Sequence, residues 1–510
     1  MPSRLVSGLK QAPYGDLVLL GGLLVILFLL HVGIPGTVPT GAEPGIWLAL
    51  AREALGSDVM AAEVTQPIFS ALVAILLTLG IPPIDGLLAA ALLAKAALVV
   101  AVYLTSLTLN RVYATVTATL VATAAAQTEL YASGGYPQLL GMAFGLLAVF
   151  LMVRYVDTRA KRHLWIGLGL VAATLATDLV IGALVPVVIG IAIVSWLLLV
   201  NDGRSVWEHE FRVVWKAAGL TAFVALVLFL LWAGAGGESI LNPLETSRWE
   251  SLSYVFRDAP WLWAVMFIVA VIVLPLRYWP AHIAATLAAA ASWLVASGVF
   301  FLITGAQSAL LISQMSVVVL AVIGIGATHE HLVGPEQRRF SVKDPRSVRN
   351  RLLIIVGIPA LSFLVGAGLA LNWTTADRYR LVDHAELAAL NSLSAESGPG
   401  DLVVAARGKG GMAVGWWVEG FAGVPTYTAH DLRLLAFREQ REQAEVANDI
   451  FNGALNDAET LAKLREIGAD YLVVDRRGPD SAFLNSDLAN RMRVIDDSSN
   501  LVILDARTDS

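Results

Sequence analysis

Residues 352–371 read LLIIVGIPALSFLVGAGLAL, and this run divides the chain into two unlike parts. A largely apolar stretch of this length is enough to cross the roughly 30 Å hydrocarbon core of a bilayer as a helix. After it, residues 373–510 carry 22 acidic and 14 basic side chains, whereas residues 1–372 carry only 19 and 21. The higher charge density is typical of a soluble domain and the lower one of a membrane bundle. We therefore predict a transmembrane domain over 1–372 and a soluble domain over 373–510.

The composition of the whole chain excludes several classes of protein. Of its 510 residues, 57% are hydrophobic and 15% are charged, whereas about 25% are charged in a typical soluble domain. A formal net charge of −6 argues against a nucleic-acid-binding protein. The absence of cysteine rules out disulfides, thiolate chemistry and Cys-ligated zinc or iron–sulfur sites. The sequence therefore predicts a polytopic membrane protein.

Eleven runs are long enough to cross a bilayer, and one shorter run is not. The first run is too long for a secretory signal and lacks a small-residue cleavage site, so we interpret it as a retained span. The shorter run, 67–79, has 13 residues between two proline-containing turns and is typical of an interfacial or re-entrant helix. The predicted spans are 17–34, 86–109, 112–130, 137–153, 164–180, 182–200, 217–235, 261–276, 281–303, 308–327 and 352–371.

The distribution of basic residues predicts the orientation of the bundle. If the N-terminus is inside and 67–79 does not cross, 17 Lys and Arg residues of the membrane domain lie inside and 3 outside. If 67–79 does cross, the counts become 4 inside and 16 outside. The positive-inside rule favours the first arrangement. We predict a cell-membrane protein with a cytoplasmic N-terminus, a first outer loop over 35–85 that carries surface or re-entrant helices, and an extracytoplasmic C-terminal domain.

The tail, residues 373–510, alternates helix and strand patterns. Such alternation predicts an α/β domain with a mainly parallel sheet. No glycine-rich phosphate-binding fingerprint opens any of its helices, so a nucleotide site is not expected. The predicted helices are 383–397, 430–455 and 457–467, and the predicted strands are 402–406, 424–428, 471–475, 493–495 and 501–504, with a hairpin turn at 497–500.

Glu43 is the first candidate catalytic residue. It lies in the predicted outer loop, in a Gly/Pro turn directly before an amphipathic helix. A carboxylate in such a place could accept a proton from an acceptor hydroxyl. The alternative is structural, because an acid at a helix start stabilises the helix dipole.

Lys95 and Asp178 are the candidates inside the bundle. Lys95 lies about nine residues into a span that is predicted to start outside. A charged side chain inside a span is costly and usually has a function, so Lys95 is a candidate functional residue. It could bind a lipid-linked phosphate, or its long stem could reach the membrane interface. Asp178 lies near the outer end of its own span, and we predict it as an ion partner of Lys95 and a substrate-binding residue.

Arg248 and Arg257 are the candidates for phosphate binding in the outer loop 236–260. Apart from Arg52, they are the only arginines predicted on the outer side of the membrane domain. The guanidinium group matches phosphate geometry well. The neighbouring Trp249 and Tyr254 also fit an ordinary interfacial aromatic belt, which is the alternative interpretation.

Aromatic segments supply the remaining substrate-binding candidates. Residues 134–138, GGYPQ, head a predicted span on the outer face and contribute Tyr136 and Gln138. In the tail, Trp416 and Trp417 stand two residues before an acid, Glu419. Tryptophan pairs bind sugar rings well, but they also simply pack against membrane.

These features together resemble the GT-C superfamily of integral-membrane glycosyltransferases, which includes polyprenyl-phosphate-sugar-dependent transferases and the catalytic subunits of oligosaccharyltransferase. The resemblance covers the whole chain as architecture: an acid before a surface helix in the first outer loop, many spans and an outer α/β tail. The local matches are 41–49 (GAEPGIWLA), 134–141 (GGYPQLLG), and 415–420 (GWWVEG) before 425–427 (PTY). They are similar to segments of poorly characterised prokaryotic members.

The sequence departs from the pattern of this superfamily at two places. The first-loop acid of the family is usually Asp, and Glu43 takes that place here. Oligosaccharyltransferases carry Trp-Trp-Asp-Tyr-Gly in the tail, whereas this chain has Val418 and Glu419 at the third and fourth positions. Recognition of an asparagine sequon is therefore not expected.

The resemblance implies an α-helical polytopic bundle of about eleven spans and a sugar transfer from a polyprenyl-phosphate donor to an extracytoplasmic glycan, lipid or protein. Glu43 would act as base, and Lys95, Arg248 and Arg257 would bind the donor phosphate. No metal-ligand pattern is visible among the histidines, although a divalent cation, Mg²⁺ or Mn²⁺, is compatible with the chemistry. The alternative is a non-catalytic GT-C-like scaffold or a lipid or glycan carrier, and a transporter is the third choice.

Overall fold

The computed structural model describes residues 38–57, 67–108, 111–123, 130–199, 281–304, 379–429 and 438–507, together with the isolated positions 21, 22, 25, 219, 316, 320 and 377. Elements are numbered here in chain order over these residues. The helices before the tail are α1 Glu43–Ala54, α2 Pro67–Thr78, α3 Pro83–Ser106, α4 Arg111–Thr123, α5 Tyr136–Thr158, α6 Lys161–Thr177, α7 Leu179–Leu199 and α8 Ala281–Thr304.

Six predicted spans coincide with described helices. The helices α3, α5, α6, α7 and α8 match, in that order, the predicted spans 86–109, 137–153, 164–180, 182–200 and 281–303. Helix α4 covers the beginning of the predicted span 112–130. Three of the described helices are long and apolar enough to cross a membrane: Pro83–Ser106, Tyr136–Thr158 and the stretch Val180–Leu197 of α7. The predictions 217–235, 261–276, 308–327 and 352–371, and nearly all of 17–34, lie outside the described residues, as does the boundary between 372 and 373.

Helix α5 lies at the centre of the described bundle. It packs against α3, α6, α7 and α8, and most of its residues are buried. Two glycines on α5 allow this close packing, because a Cβ on Gly141 would lie 3.2 Å from the Cβ of Asp178 and one on Gly145 would lie 2.9 Å from the ring of Trp293. Side chains at the beginning of α5 are therefore held by a rigid support.

The short run 67–79 forms helix α2, which has 12 residues. At about 1.5 Å per residue, α2 is too short to cross a bilayer, as the sequence predicts. It packs against α1 and α3, and the ring of Phe69 meets that of Trp47 edge-on with centroids 5.9 Å apart. α2 thereby supports the helix that begins at Glu43.

The tail contains a four-stranded sheet with helices around it. Its strand order is β1-β2-β4-β3. The helices α9 and α11 each begin with a capping box, Asp383 with Glu386 and Asn456 with Glu459, which explains why the sequence located them well. The elements are α9 His384–Glu396, β1 Val403–Ala405, α10 Arg438–Phe451, α11 Asp457–Ile467, β2 Tyr471–Asp475, α12 Asp487–Arg491, β3 Arg493–Asp496 and β4 Leu501–Asp505.

The prediction of a mainly parallel sheet is wrong. Among the described strands, only β1 and β2 pair in parallel, while β4 is antiparallel to both β2 and β3. The physical reason is the short turn at 497–500, which makes β3 and β4 a hairpin and thus reverses β4 beside β2. The predicted helix 430–455 is described only from Arg438 onward, as α10.

The predicted strand 424–428 is also wrong as a strand. It forms an isolated parallel bridge between Thr426 and Val403, with the Tyr427 N–H donating to the Val403 oxygen at 2.8 Å. Pro425 has no N–H to extend the ladder. The Thr426 N–H instead donates to a carboxylate oxygen of Glu419 at 3.3 Å.

Candidate active site

Glu43 begins α1, and residues 130–136 pack directly onto it. The indole N–H of Trp47, one turn later on the same face of the helix, donates to the backbone oxygen of Gly134 at 2.8 Å. Gly134 has a φ of +100°, and a Cβ there would lie only 2.9 Å from the Cβ of Glu43. Only glycine readily adopts this φ and also leaves room for the side chain of Glu43. This segment therefore determines where the carboxylate lies.

The surroundings of Glu43 suit a general base. The residue is half-buried, and burial, together with a smaller effect of the negative charge of Asp178, raises its pKa to about 7. General-base catalysis is most effective when the pKa of the base lies near the working pH. A helix-start acid that only stabilised a dipole would gain nothing from this burial.

Asp178 is the second carboxylate of the site. It is 2% exposed and lies between α6 and α7, where one carboxylate oxygen accepts the backbone N–H of Ile181 at 2.8 Å. The close approach of α5 at Gly141 covers its other side. The fold thus brings Asp178 within electrostatic reach of Glu43, although the two residues are far apart in sequence.

Lys95 is a buried cation beside the same segment 130–136. It lies midway along α3 and is 1% exposed, so its ammonium group is not at an aqueous interface. Within the described structure, its Nζ has no hydrogen-bond partner and forms no ion pair with Asp178. The Nζ lies 5.5 Å from the ring centroid of Tyr131. The predicted Lys95–Asp178 ion pair is therefore wrong, and the ammonium is a group that an anionic ligand would stabilise.

A row of aromatic rings connects Lys95 to the helix that carries Glu43. The rings of Tyr131 and Tyr136 have centroids 5.3 Å apart, and those of Tyr136 and Phe69 are 5.8 Å apart. Tyr136 is fully buried, lies within electrostatic reach of Glu43, and its hydroxyl has no partner among the described residues. Burial of a hydroxyl without a partner costs free energy, so Tyr136 is a second polar group that a ligand could satisfy.

Of the other candidates in the membrane domain, the structure describes Gln138 but not the two arginines. Gln138 is half-buried on the first turn of α5, and its side-chain oxygen lies over Gly135. Arg248 and Arg257 lie outside the described residues, so their part in phosphate binding stays a prediction.

Trp416 and Trp417 are buried against α1. They are 2% and 0% exposed, and the indole N–H of Trp417 donates to the backbone oxygen of Gly41 at 2.9 Å. Trp416 belongs to a small apolar cluster that Ala42 and Ile46 join from the side of α1. Both rings therefore contact protein, and sugar binding by them stays a prediction.

Glu419 is a buried acid in the same tail segment. It is 2% exposed, and the hydroxyl of Thr426 lies 2.6 Å from its Oε1. Its Oε2 has no partner in the part of the chain that the structure describes. Burial raises the pKa of Glu419 to about 8, although the hydrogen bonds from Thr426 oppose the shift.

Sequence reasoning gave no role to two side chains that hold the site together. Thr40 donates its hydroxyl to the backbone oxygen of Ala132 at 2.8 Å, and Arg52 donates to the backbone oxygen of Phe421 at 2.8 Å. Neither contact leaves a local signal, because the partners are backbone atoms far along the chain. Over the described ranges, no group of three or more His, Cys, Asp or Glu side chains is placed to hold a metal ion.

Comparisons with solved structures identify the fold. The chain is similar to ArnT from Cupriavidus metallidurans bound to undecaprenyl phosphate, with a TM-score of 0.60 and 16% identity over 96% of this chain and 98% of that one. It is similar to the mycobacterial arabinofuranosyltransferase AftD, with a TM-score of 0.60 and 16% identity over 97% of this chain and 40% of that one. No protein-family model and no curated protein matches the sequence.

A third similar structure is the archaeal oligosaccharyltransferase AglB from Archaeoglobus fulgidus in complex with an inhibitory peptide and a dolichol-phosphate. Its TM-score is 0.53, with 11% identity over 94% of this chain and 72% of that one. All three are GT-C glycosyltransferases. The chain thus has a GT-C-like fold, as the sequence predicts, and three of its described helices are long and apolar enough to cross a membrane.

Proposed function

We propose that this chain is a membrane glycosyltransferase that moves a sugar from a polyprenyl-phosphate-linked donor to a hydroxyl of an extracytoplasmic glycan, lipid or protein. The observation that carries the proposal is that Glu43 and Lys95 both lie against residues 130–136, which include Tyr136, with Asp178 within electrostatic reach of Glu43. A base with a pKa of about 7 and a buried ammonium that no described residue hydrogen-bonds are the two groups that such a transfer needs.

The reaction is an inverting displacement at the anomeric carbon of the donor. The acceptor oxygen forms a bond to that carbon while its proton passes to the carboxylate of Glu43. The bond between the anomeric carbon and the phosphate oxygen breaks, and the polyprenyl phosphate leaves with the electron pair. One carboxylate suffices as base, since no covalent enzyme intermediate is formed.

Lys95 stabilises the departing phosphate. A positive charge in a site from which water is excluded is most effective where negative charge develops. The ammonium of Lys95 is buried and has no hydrogen-bond partner among the residues that the structure describes. The hydroxyl of Tyr136 is a second donor in reach of the same ligand. Arg248 and Arg257 complete the phosphate site in this proposal.

Gln138 and Asp178 are the candidates that remain for contact with the donor sugar. In this proposal Gln138 binds the sugar directly, and Asp178 also helps to keep the pKa of Glu43 near 7. The similar structures of ArnT and AglB contain undecaprenyl phosphate and a dolichol-phosphate, which supports a polyprenyl phosphate as the lipid part of the donor.

The test is a transfer assay with purified protein in detergent and a small panel of polyprenyl-phosphate sugars. Release of polyprenyl phosphate that depends on both donor and acceptor would support the proposal. Tight binding of the lipid phosphate without transfer from any donor would instead favour the non-catalytic carrier or scaffold.

A further inference from the structure

We propose that the tail positions Glu43 through the segment formed by Gly415–Trp417 and Val418–Ala422, here called the tail clamp. In this proposal Trp417 is a positioning residue for Glu43, and the tail clamp is part of the machinery for the chemical step. The inference rests on the proposed function, because it assigns the base that is being positioned.

The backbone of Gly41, two residues before Glu43, is bonded to the tail on both of its polar groups. Its N–H donates to the backbone oxygen of Tyr379 at 2.8 Å, and its carbonyl oxygen accepts the indole N–H of Trp417 at 2.9 Å. On the opposite side, a Cβ on Gly41 would lie 2.2 Å from the backbone oxygen of Ser133. Gly41 is therefore held between the tail and the segment that packs on Glu43.

After Glu43, the backbone of α1 lies directly on the backbone of the tail clamp. A Cβ on Gly45 would lie 2.4 Å from the carbonyl group of Trp416, and a Cβ on Gly420 would lie 2.1 Å from the backbone oxygen of Gly45. Such contact is possible only without side chains on both partners. At the last turn of α1, Arg52 donates to the backbone oxygen of Phe421 at 2.8 Å.

The base is thus fixed on both sides by the same segment. Glu43 lies between Gly41 and Gly45, so a shift of the tail clamp would carry its carboxylate with it. Catalytic groups must be held within about 0.5 Å of their productive position, and a displacement of about 1 Å can cost a factor of about 100 in rate. A segment that only stabilised the tail would not need to contact Gly41 and Gly45, the residues on either side of the base.

The test compares Trp417→Phe, which removes the indole N–H, with Tyr471→Phe as a matched control. Tyr471 also donates to a backbone oxygen within the tail, that of Glu396 at 3.0 Å, but this bond joins β2 to the end of α9 and involves no residue of α1 or of the tail clamp. Gly45→Ala is the second test variant, because its new Cβ must separate α1 from the tail clamp. Gly169→Ala, where a Cβ has nothing within 4 Å, is its control.

For each variant we would measure kcat and donor KM between about pH 5 and 9, and hydrogen exchange of residues 38–57 by mass spectrometry. We expect Trp417→Phe to lower kcat about 10- to 100-fold with little change in donor KM, and to increase exchange in 38–57. As Glu43 becomes more solvated, the inflection of the pH–rate profile should move below pH 7. The two controls should leave all three quantities unchanged.

Loss of folded protein alone would lower the apparent rate without moving the inflection, so the pH profile separates positioning from mere stability. An active protein in which Trp417→Phe and Gly45→Ala leave kcat, inflection and exchange unchanged would overturn the clamp but keep the proposed function. An unmodified protein without transfer activity would overturn the proposed function, and with it the catalytic meaning of the clamp.

Discussion

Replacing Lys95 with Met should make the protein more stable and worse at binding its donor. The stem of Lys95 is buried, so Met fills nearly the same apolar space. The ammonium loses its hydration without gaining a hydrogen bond from any described residue, which costs several kcal/mol. Its contact with the Tyr131 ring at 5.5 Å returns only about 0.5–2 kcal/mol. We therefore expect Lys95→Met to raise the free energy of unfolding by about 2 kcal/mol.

The loss in binding follows from the same geometry. A hydrogen bond to a charged group contributes about 1.5–3 kcal/mol, so the Kd for a polyprenyl phosphate should rise about 10- to 150-fold. Thermal unfolding in detergent and titration with the lipid phosphate measure the two effects, and the exposed Lys161→Met is the control. A lower Tm with an unchanged Kd would refute the reasoning, because it would make Lys95 a structural residue.

Three further predictions follow from charge and burial. The transfer rate should increase with pH through about 7, because Glu43 must lose its proton to act as base. A rate that is flat from about pH 5 to 9 would exclude Glu43 as the base. Since the folded pKa of Glu419, about 8, lies above its ordinary value of 4.5, its contribution to stability is complete below about pH 4.5 and is lost as the pH rises through 8. Glu419→Gln should therefore reduce the loss of stability over that pH range by a few kcal/mol, seen as a smaller fall in Tm, and Glu445→Gln, which changes an exposed acid of α10, should not. Reporter fusions at Gly334 and Gly478 should give cytoplasmic and extracytoplasmic signals respectively, and a cytoplasmic signal at Gly478 would contradict the predicted topology.

Local signals in the sequence were sufficient to predict most of the described elements. The helices α3, α5 and α7 follow from apolar length. The helices α9 and α11 follow from their helical pattern, and the structure shows that each also begins with a capping box. The strand β2 follows from a short apolar run, and all five of its residues are buried. Each of these signals lies within the element itself, so no knowledge of distant contacts is required.

Strand direction and the surroundings of the site could not be predicted in the same way. The antiparallel pairing of β2 with β4 depends on where the chain returns, and a short apolar strand carries no sign of its direction. Likewise, Trp417 bonds to a residue 376 positions away, so the sequence could suggest a sugar platform but not the contact with Gly41. The sequence shows that placing the charge of Lys95 inside a span costs free energy, but the separation of Lys95 from Asp178 depends on how three helices pack.

The prediction of Glu43 as base combined a local turn with a family resemblance, and its burial beside Asp178 became visible only in the fold. The decisive measurement is the transfer rate of Glu43→Gln, which keeps the size of the side chain and removes its basicity. The rate should fall about 10²–10⁴-fold while the Kd for the donor is kept, and Glu43→Asp should retain part of the activity. The amide variants of Glu53, Asp58 and Glu63 serve as controls and should matter much less. Full transfer activity in Glu43→Gln would show that Glu43 is not the base.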